Sequence, residues 1–376
     1  MTNYSWHGKV CGLLYNKKNS YLSELEEEDR RRRDRRIPRA AIKSYCYSTF
    51  FYLYNSGNDQ ALLTATGHDH RSFKKLLKLF EPIFAQYTWD DNIHGIRKKQ
   101  VRNNGMPISH GARDMTASAC LGSVLMWYRT RGSCARGLAA VFGQSSTSTY
   151  KWLKFGRKAL LHVLCKDQDA MVTLPTESEI RQFVNAINVK YPVLTNVWAA
   201  ADGLKLLIHP PSSHAKQNMF FNGWKHTHNV NCLFVFSPDG KIRICLLNAP
   251  GTFHDSTMAD YGVYVAMERV YEEFGARVVV DSAFNIGKKD FILKSSQQDP
   301  LNEHELLLNR AATSVRQLSE WGMRMIGGSF PRLKDPMKVE KSNERLVILR
   351  LMVHLYTFQI VHVGINQILN TFFEMN

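Results

Sequence analysis
Apolar positions from Ile42 to Tyr87 recur at helical spacing, whereas from residue 194 onward the pattern changes to short, strand-like runs. Phe73, Leu76, Leu77, Phe80 and Phe84 form one stripe with Lys74, Lys75 and Lys78 off it, which predicts a helix with one buried face. Pro82 predicts an end or a kink there, because proline has no N–H to donate and its ring crowds the preceding turn. Residues 90–113 are polar and rich in Gly, Asn, Arg and Lys, and read as a loop. Met115–Tyr128 reads as a helix and Cys134–Phe142 as a short one. Gly143-Gln144-Ser145 makes a turn, and Ser146 or Thr147 is placed to cap the helix that follows. In residues 166–193, Thr176 and Glu179 have the spacing of a capping box at the start of a connecting helix.

The strand-like half begins with Val197–Ile208. Asn229–Phe236 and Lys241–Asn248 then flank the turn Ser237-Pro238-Asp239-Gly240 as a hairpin. Ser256–Phe274 reads as a helix, Ala276–Val280 as a short buried strand, Leu306–Phe330 as mostly helical, and Arg345–Phe372 as one or two closing helices. Three strands, a helix, a strand and further helices make an α/β succession, the order of an RNase H-like fold: a mixed sheet with flanking helices. The expected organisation is a basic N-terminal tail over 1–40, an all-helical region over 41–165, a linker over 166–195, and the RNase H-like domain over 196–376. The apolar stretch Leu346–Leu369 is broken by Arg350, His354, Gln359, His362 and Asn366, and reads as a packed helix rather than a membrane span.

Charge divides the chain at the same place. Residues 1–165 hold 27 Lys/Arg against 12 Asp/Glu, a net of +15, whereas residues 166–376 hold 22 against 21, a net of +1. A basic region joined to a neutral one points to a polyanion bound by the first half. Residues 24–36 (ELEEEDRRRRDRR) read either as a solvated helix with acid–base pairs or, through Arg30, Arg31, Arg32 and Arg33, as a DNA-backbone clamp or import signal. The two helices around Gly143 have the pattern of a helix-turn-helix near 134–160. Ser146, Thr147, Ser148, Tyr150 and Lys151 would face base edges, with Lys154, Arg157 and Lys158 behind them on the same helix. Seven cysteines without zinc or disulfide spacing, and no signal-type apolar core in the first 20 residues, lead to the expectation of a reduced, intracellular protein.

Four acids stand where acids are costly. Asp202 interrupts an apolar strand, Asp255 precedes a helix, Asp281 ends the run VVV, and Glu320 lies on a helix beside Trp321. Singly, Asp202-Gly203 also reads as a bulge or turn, Asp255 as a helix N-cap and Asp281 as a strand-end cap. Together, converging carboxylates repel one another until a cation neutralises them. Hard oxygen ligands without a Cys or His set favour Mg²⁺ or Mn²⁺. Two such ions about 3.5–4 Å apart are an established arrangement for phosphodiester cleavage. His254 is placed for proton transfer or for a structural hydrogen bond, and Arg324, Arg332 and Lys334 for backbone phosphates.

The motifs around these acids resemble those of the PIF/Harbinger transposases and their domesticated derivatives, within the DDE superfamily of endonucleases. AADG at 200–203, NAPGTFHDS at 248–256, VVDSAF at 279–284 and RQLSEWGMRMIGGSFPRLK at 316–334 occur in that family's order, with FNGWKHTHNVNCLFVFSPDGKI at 221–242 similar to its middle hairpin. Phe284 stands where the family more often has tyrosine. The resemblance implies Asp202 and Glu320 as metal ligands, with Asp281 or Asp255 as the second core acid. It also implies two divalent ions, double-stranded DNA (transposon terminal inverted repeats and target), a Myb-like DNA-binding partner protein, a homo-oligomer on DNA, and a nuclear site of action. A domesticated DNA-binding or adaptor protein is the alternative reading.

Overall fold
In a computed structural model of the chain, residues 42, 44–90, 95–99, 115–132, 134–282, 284, 287, 289–294, 302–364 and 366–373 are described. The helical region contains α1 (Thr49–Asn55), α2 (Asp59–Thr66), α3 (His70–Gln86), α4 (Ala117–Arg129), α5 (Cys134–Phe142) and α6 (Ser146–Leu164). Side chains cap most of their first turns: Ser48, Asn58, Asp69 and Thr116 each accept a hydrogen bond from the backbone N–H three residues on. Each such cap is worth about 1 kcal/mol.

Three local expectations are corrected here. The helix α3 continues past Pro82 to Gln86, because Pro82 sits on its exposed side while Phe80 and Phe84 stay anchored in the core. Part of the expected loop is a hairpin, β1 (Tyr87–Asp90) paired antiparallel with β2 (Gly95–Lys98), where Trp89 stands opposite Ile96 and Arg97 pairs with Asp90 at 3.2 Å. The cap of α6 is Ser145 rather than Ser146 or Thr147: its hydroxyl accepts from the Ser148 amide, and Gly143 supplies the left-handed turn residue at φ 64°.

The expected connection 166–195 carries α7 (Glu177–Lys190), opened by the Thr176–Glu179 capping box. Next come β3 (Val197–Leu207), α8 (His214–Phe220), β4 (Phe221–Asn222), β5 (Thr227–Phe236) and β6 (Ile242–Pro250). The expected helix 256–274 is two helices, α9 (Asp255–Ala259) and α10 (Val263–Phe274), separated where Gly262 adopts φ 102°. After β7 (Arg277–Val280) and an unforeseen short strand β8 (Ile292–Lys294), the chain closes with α11 (Glu303–Ser329), α12 (Ser342–His362) and α13 (Gln367–Phe373).

The large sheet is mixed, in the order β4-β5-β3-β7-β8, with β6 continuing the far edge of β5 beyond β4. β3 is antiparallel to β5 and parallel to β7, and β7 is parallel to β8. One face, with Leu206, Phe234 and Phe236, shares a single hydrophobic cluster with the helical region, running from Phe50 to Phe372. The other face, with Trp198, Leu233 and Val280, is covered by Phe183 of α7 and by Met267 and Val270 of α10. No single helix among the described residues is long and apolar enough to cross a membrane, and α12 buries Leu349, Leu351, Leu355 and Phe358 completely.

Candidate active site
The sheet register brings two of the acids together. Ala200 of β3 stands opposite Val279 of β7 in parallel pairing, so two residues further along both strands Asp202 comes beside Asp281. Asp255 reaches them from the first position of α9, at the end of the loop after β6. Asn231 of β5 holds that loop, its Nδ2 donating to the Phe253 carbonyl at 2.8 Å and to the Gly251 carbonyl at 3.3 Å. Gly203 makes the approach possible, since a Cβ there would collide with the Asp255 carboxylate. The Asp-Gly pair at 202–203 is therefore neither a turn nor a bulge but continuous strand, with the glycine leaving space for a carboxylate.

Asp202, Asp255 and Asp281 each offer a ligand oxygen, and these three atoms lie within 4.8 Å of one another. All three residues are half-buried. Burial pushes the Asp202 carboxyl up to about 6, the Asp281 and Asp255 charges add to it, and the Gly203 amide at 2.7 Å and the Arg316 charge oppose it. Burial, then Asp281, also raises Asp255 against the pull of Lys205 and His254. The folded chain thus holds three carboxylates at an electrostatic cost that a cation in their midst would relieve. An all-oxygen donor set of this kind fits Mg²⁺ or Mn²⁺.

Glu320 stands outside this group of three. It lies on α11, whose buried face (Val315, Leu318, Ser319, Gly322, Ile326) packs on the sheet, with Gly322 admitting the Phe236 ring. Its carboxylate is held by Arg316 at 2.8 Å, one turn back on the same helix. Arg316 is also close enough to Asp202 for its charge to be felt there, so it links the triad to Glu320. Sequence reading passed over Arg316, whose only signal was its i,i+4 spacing to a glutamate. Glu303 and Glu305, the other acids near this motif, occupy the first turn of α11, roughly 22–26 Å up the helix from Glu320. His254 is exposed and its ring makes no hydrogen bond among the described residues.

The residues assigned to DNA reading are only partly accessible. Thr147, Tyr150 and Lys151 are exposed at the start of α6, and Ser146 and Ser148 are half-buried. Lys154 pairs with Glu344 at 3.4 Å and lies over the Tyr150 ring, while Lys158 lies 5.7 Å from the Trp89 ring centre. Arg157 is buried, stacked 4.5 Å from the centre of the Trp127 ring. It is therefore corrected from an exposed groove contact to a buried cation: α6 is packed between α4 and α12, and only a small part of Arg157 remains accessible. Arg30, Arg31, Arg32 and Arg33 lie outside the described residues.

A mixed α/β sheet with carboxylates converging from the end of one strand, the middle of its neighbour and the start of an adjoining helix defines a candidate divalent-metal domain. Residues 201–357 match the family described as DDE superfamily endonuclease, a stretch that contains all four candidate acids. The match and the acidic cluster support a transposase-like nuclease domain in this chain. No curated protein and no solved structure matches the chain.

Proposed function
We propose that this protein is a divalent-metal-dependent DNA endonuclease of PIF/Harbinger transposase type, its catalytic domain RNase H-like. The observation that carries the reading is the convergence of Asp202, Asp255 and Asp281 within 4.8 Å. The strand order, with β3 central between antiparallel β5 and parallel β7, and the endonuclease family match over the same segment support it. Mg²⁺ or Mn²⁺, when bound, supplies Lewis acidity for activating a water or 3′-hydroxyl and for stabilising the leaving oxygen.

The chain's own residues hold and orient. Asp202 and Asp281 are fixed by paired strands, Asp255 by the loop tied to Asn231, and Gly203 keeps the space among them open. Glu320 would serve as the fourth ligand if released from Arg316, whose guanidinium would then be free to meet a phosphate oxygen of the substrate. DNA with inverted-repeat ends, strand transfer, a Myb-like partner and nuclear action are parts of the same proposal. The second reading, a DNA-binding adaptor without cleavage, is favoured by one feature, the ion pair that withholds Glu320 from the triad.

Nicking of a supercoiled plasmid carrying the element's ends separates the two readings. Wild type is expected to nick in Mg²⁺ or Mn²⁺ and not in EDTA, with Asp202→Ala and Glu320→Ala each losing activity by at least about a hundredfold. Nicking by Asp202→Ala at the wild-type rate would refute the carboxylate mechanism. DNA binding without nicking by wild type, even with the Myb-like partner added, would leave the adaptor.

A further inference from the structure
A second polar site lies where the helical region meets the nuclease segment. A cavity of about 420 Å³, open to solvent on one side, is lined by Trp127 of α4, Arg157 of α6, Arg332, and the segment from Lys338 to Arg345 that leads into α12. That volume falls in the range of small-molecule and nucleotide sites. Five cations line it: Arg157, Arg332, Lys338, Lys341 and Arg345. Its two carboxylates are already engaged, Asp335 by Arg131 and Arg332 and Glu344 by Lys154 and Lys341. Arg157, Lys338 and Arg345 are thus without an ion pair among the described residues.

Arg157 is the most telling of them. Its side chain is 92% shielded (8% exposed), its Nε donates to the Leu153 carbonyl at 3.0 Å, and its guanidinium stacks on Trp127. Arg332 lies over the same indole, 5.1 Å from the ring centre. The nearby carboxylate of Glu344 acts on Arg157 but is shared with Lys154 and Lys341, and a buried cation short of negative charge is unfavourable. A guanidinium held rigid by an indole, with four further cations around it, is a preorganised receptor for a phosphate group.

We propose that this cavity binds a backbone phosphate of the DNA on which the nuclease site acts; the choice of DNA rests on the function proposed above. Its position suits that role. The extended chain from Asp202 on β3 continues through the pairing of Ile208 with Met337 to His209, which lines the cavity. Seven residues of strand span roughly 23 Å. At about 3.4 Å per nucleotide step, a single duplex covers that distance in about seven steps. Phosphate contacts of this kind set register rather than sequence preference.

The test is binding of a short labelled duplex to the full chain in EDTA, over a salt series, for wild type, Arg157→Gln and the double variant Lys338→Ala/Lys341→Ala. Both variants are expected to bind about tenfold more weakly, with a salt slope shallower by about one for each cation removed from the phosphate. Wild-type affinity and slope in both variants, with unchanged melting curves, would overturn the proposal. Should Arg157→Gln fail to fold, the lysine pair decides alone, since Lys338 is exposed and Lys341 half-buried. In a parallel arm, inorganic phosphate is titrated while following the fluorescence that Trp127→Phe abolishes. A phosphate response together with unchanged duplex affinity overturns the DNA assignment in favour of a small phosphate-bearing ligand. Binding is read without metal, so failure of plasmid nicking and failure of this site are separately visible.

Discussion
At the scale of single residues, Asp202 carries the clearest energetic signature. Its folded-state pKa of about 6 lies above the ordinary carboxylate value of about 3.9. The native chain therefore binds more protons than the unfolded one between those pH values, and stability falls as pH rises through that window. The cost is fully present above about pH 6 and absent below about pH 4. Asp202→Asn, neutral throughout and still able to accept from the Gly203 amide, is expected to stabilise the metal-free protein at neutral pH by on the order of 1–3 kcal/mol. The gain should vanish in acid and reverse in saturating Mg²⁺, where only wild type is stabilised by the ligand. Thermal melts in EDTA and in Mg²⁺ at two pH values measure it. A less stable Asn variant in EDTA at neutral pH would show that the carboxylates are not frustrated.

At the scale of elements, α11 both covers the sheet and carries the last acid. Its buried stripe fixes the helix, but Glu320 lies off that stripe and is free to change partner. Arg316 and Glu320 are each about one-third exposed, so their ion pair is weak, worth under about 1 kcal/mol. Arg316→Gln should release Glu320 and remove a positive charge from beside Asp202, tightening Mn²⁺ binding by roughly two- to fivefold. Calorimetric titration of Mn²⁺ into the DNA-free protein reads this directly, and unchanged or weaker binding would show that Arg316 does not compete with the cation. The recognition helix expected at α6 illustrates the opposite situation. Its basic residues were visible in the sequence, but the helix is pinned on several sides, so the side carrying Arg157 turns inward.

At the scale of the whole molecule, charge and structure divide the chain differently. Net charge changes near residue 165, yet one hydrophobic cluster spans that point, from Phe50 and Leu121 through Leu160 to Phe236 and Leu355. α12 packs against both α6 and β6, so removing the helical region would strip cover from its apolar face. A fragment beginning at residue 166 is therefore expected to lack a cooperative thermal transition, whereas the full chain unfolds in one. Coincident melting curves from circular dichroism and tryptophan fluorescence check the full chain. A sharp transition in the fragment would show that the nuclease segment holds its core unaided.

The sequence by itself determined what depends on local pattern. The amphipathic stripe of α3, the Thr176–Glu179 box, the β5–β6 hairpin around Asp239-Gly240 and the succession of strands and helices were legible because periodicity and turn chemistry act within a few residues. The four acids were also legible, since a carboxylate in an apolar run is conspicuous wherever it lies. Only the tertiary structure decided which of them meet. Asp202 and Asp281 are joined by a parallel register whose partners are far apart in sequence, and Asp255 by a side-chain tether from β5. The choice between Asp255 and Asp281 was posed as a choice because nothing local shows that both reach Asp202. The separation of Glu320, the inward turn of Arg157 and the cationic cavity beside Trp127 likewise depend on how distant elements pack, and packing between distant elements leaves no periodic trace in the chain.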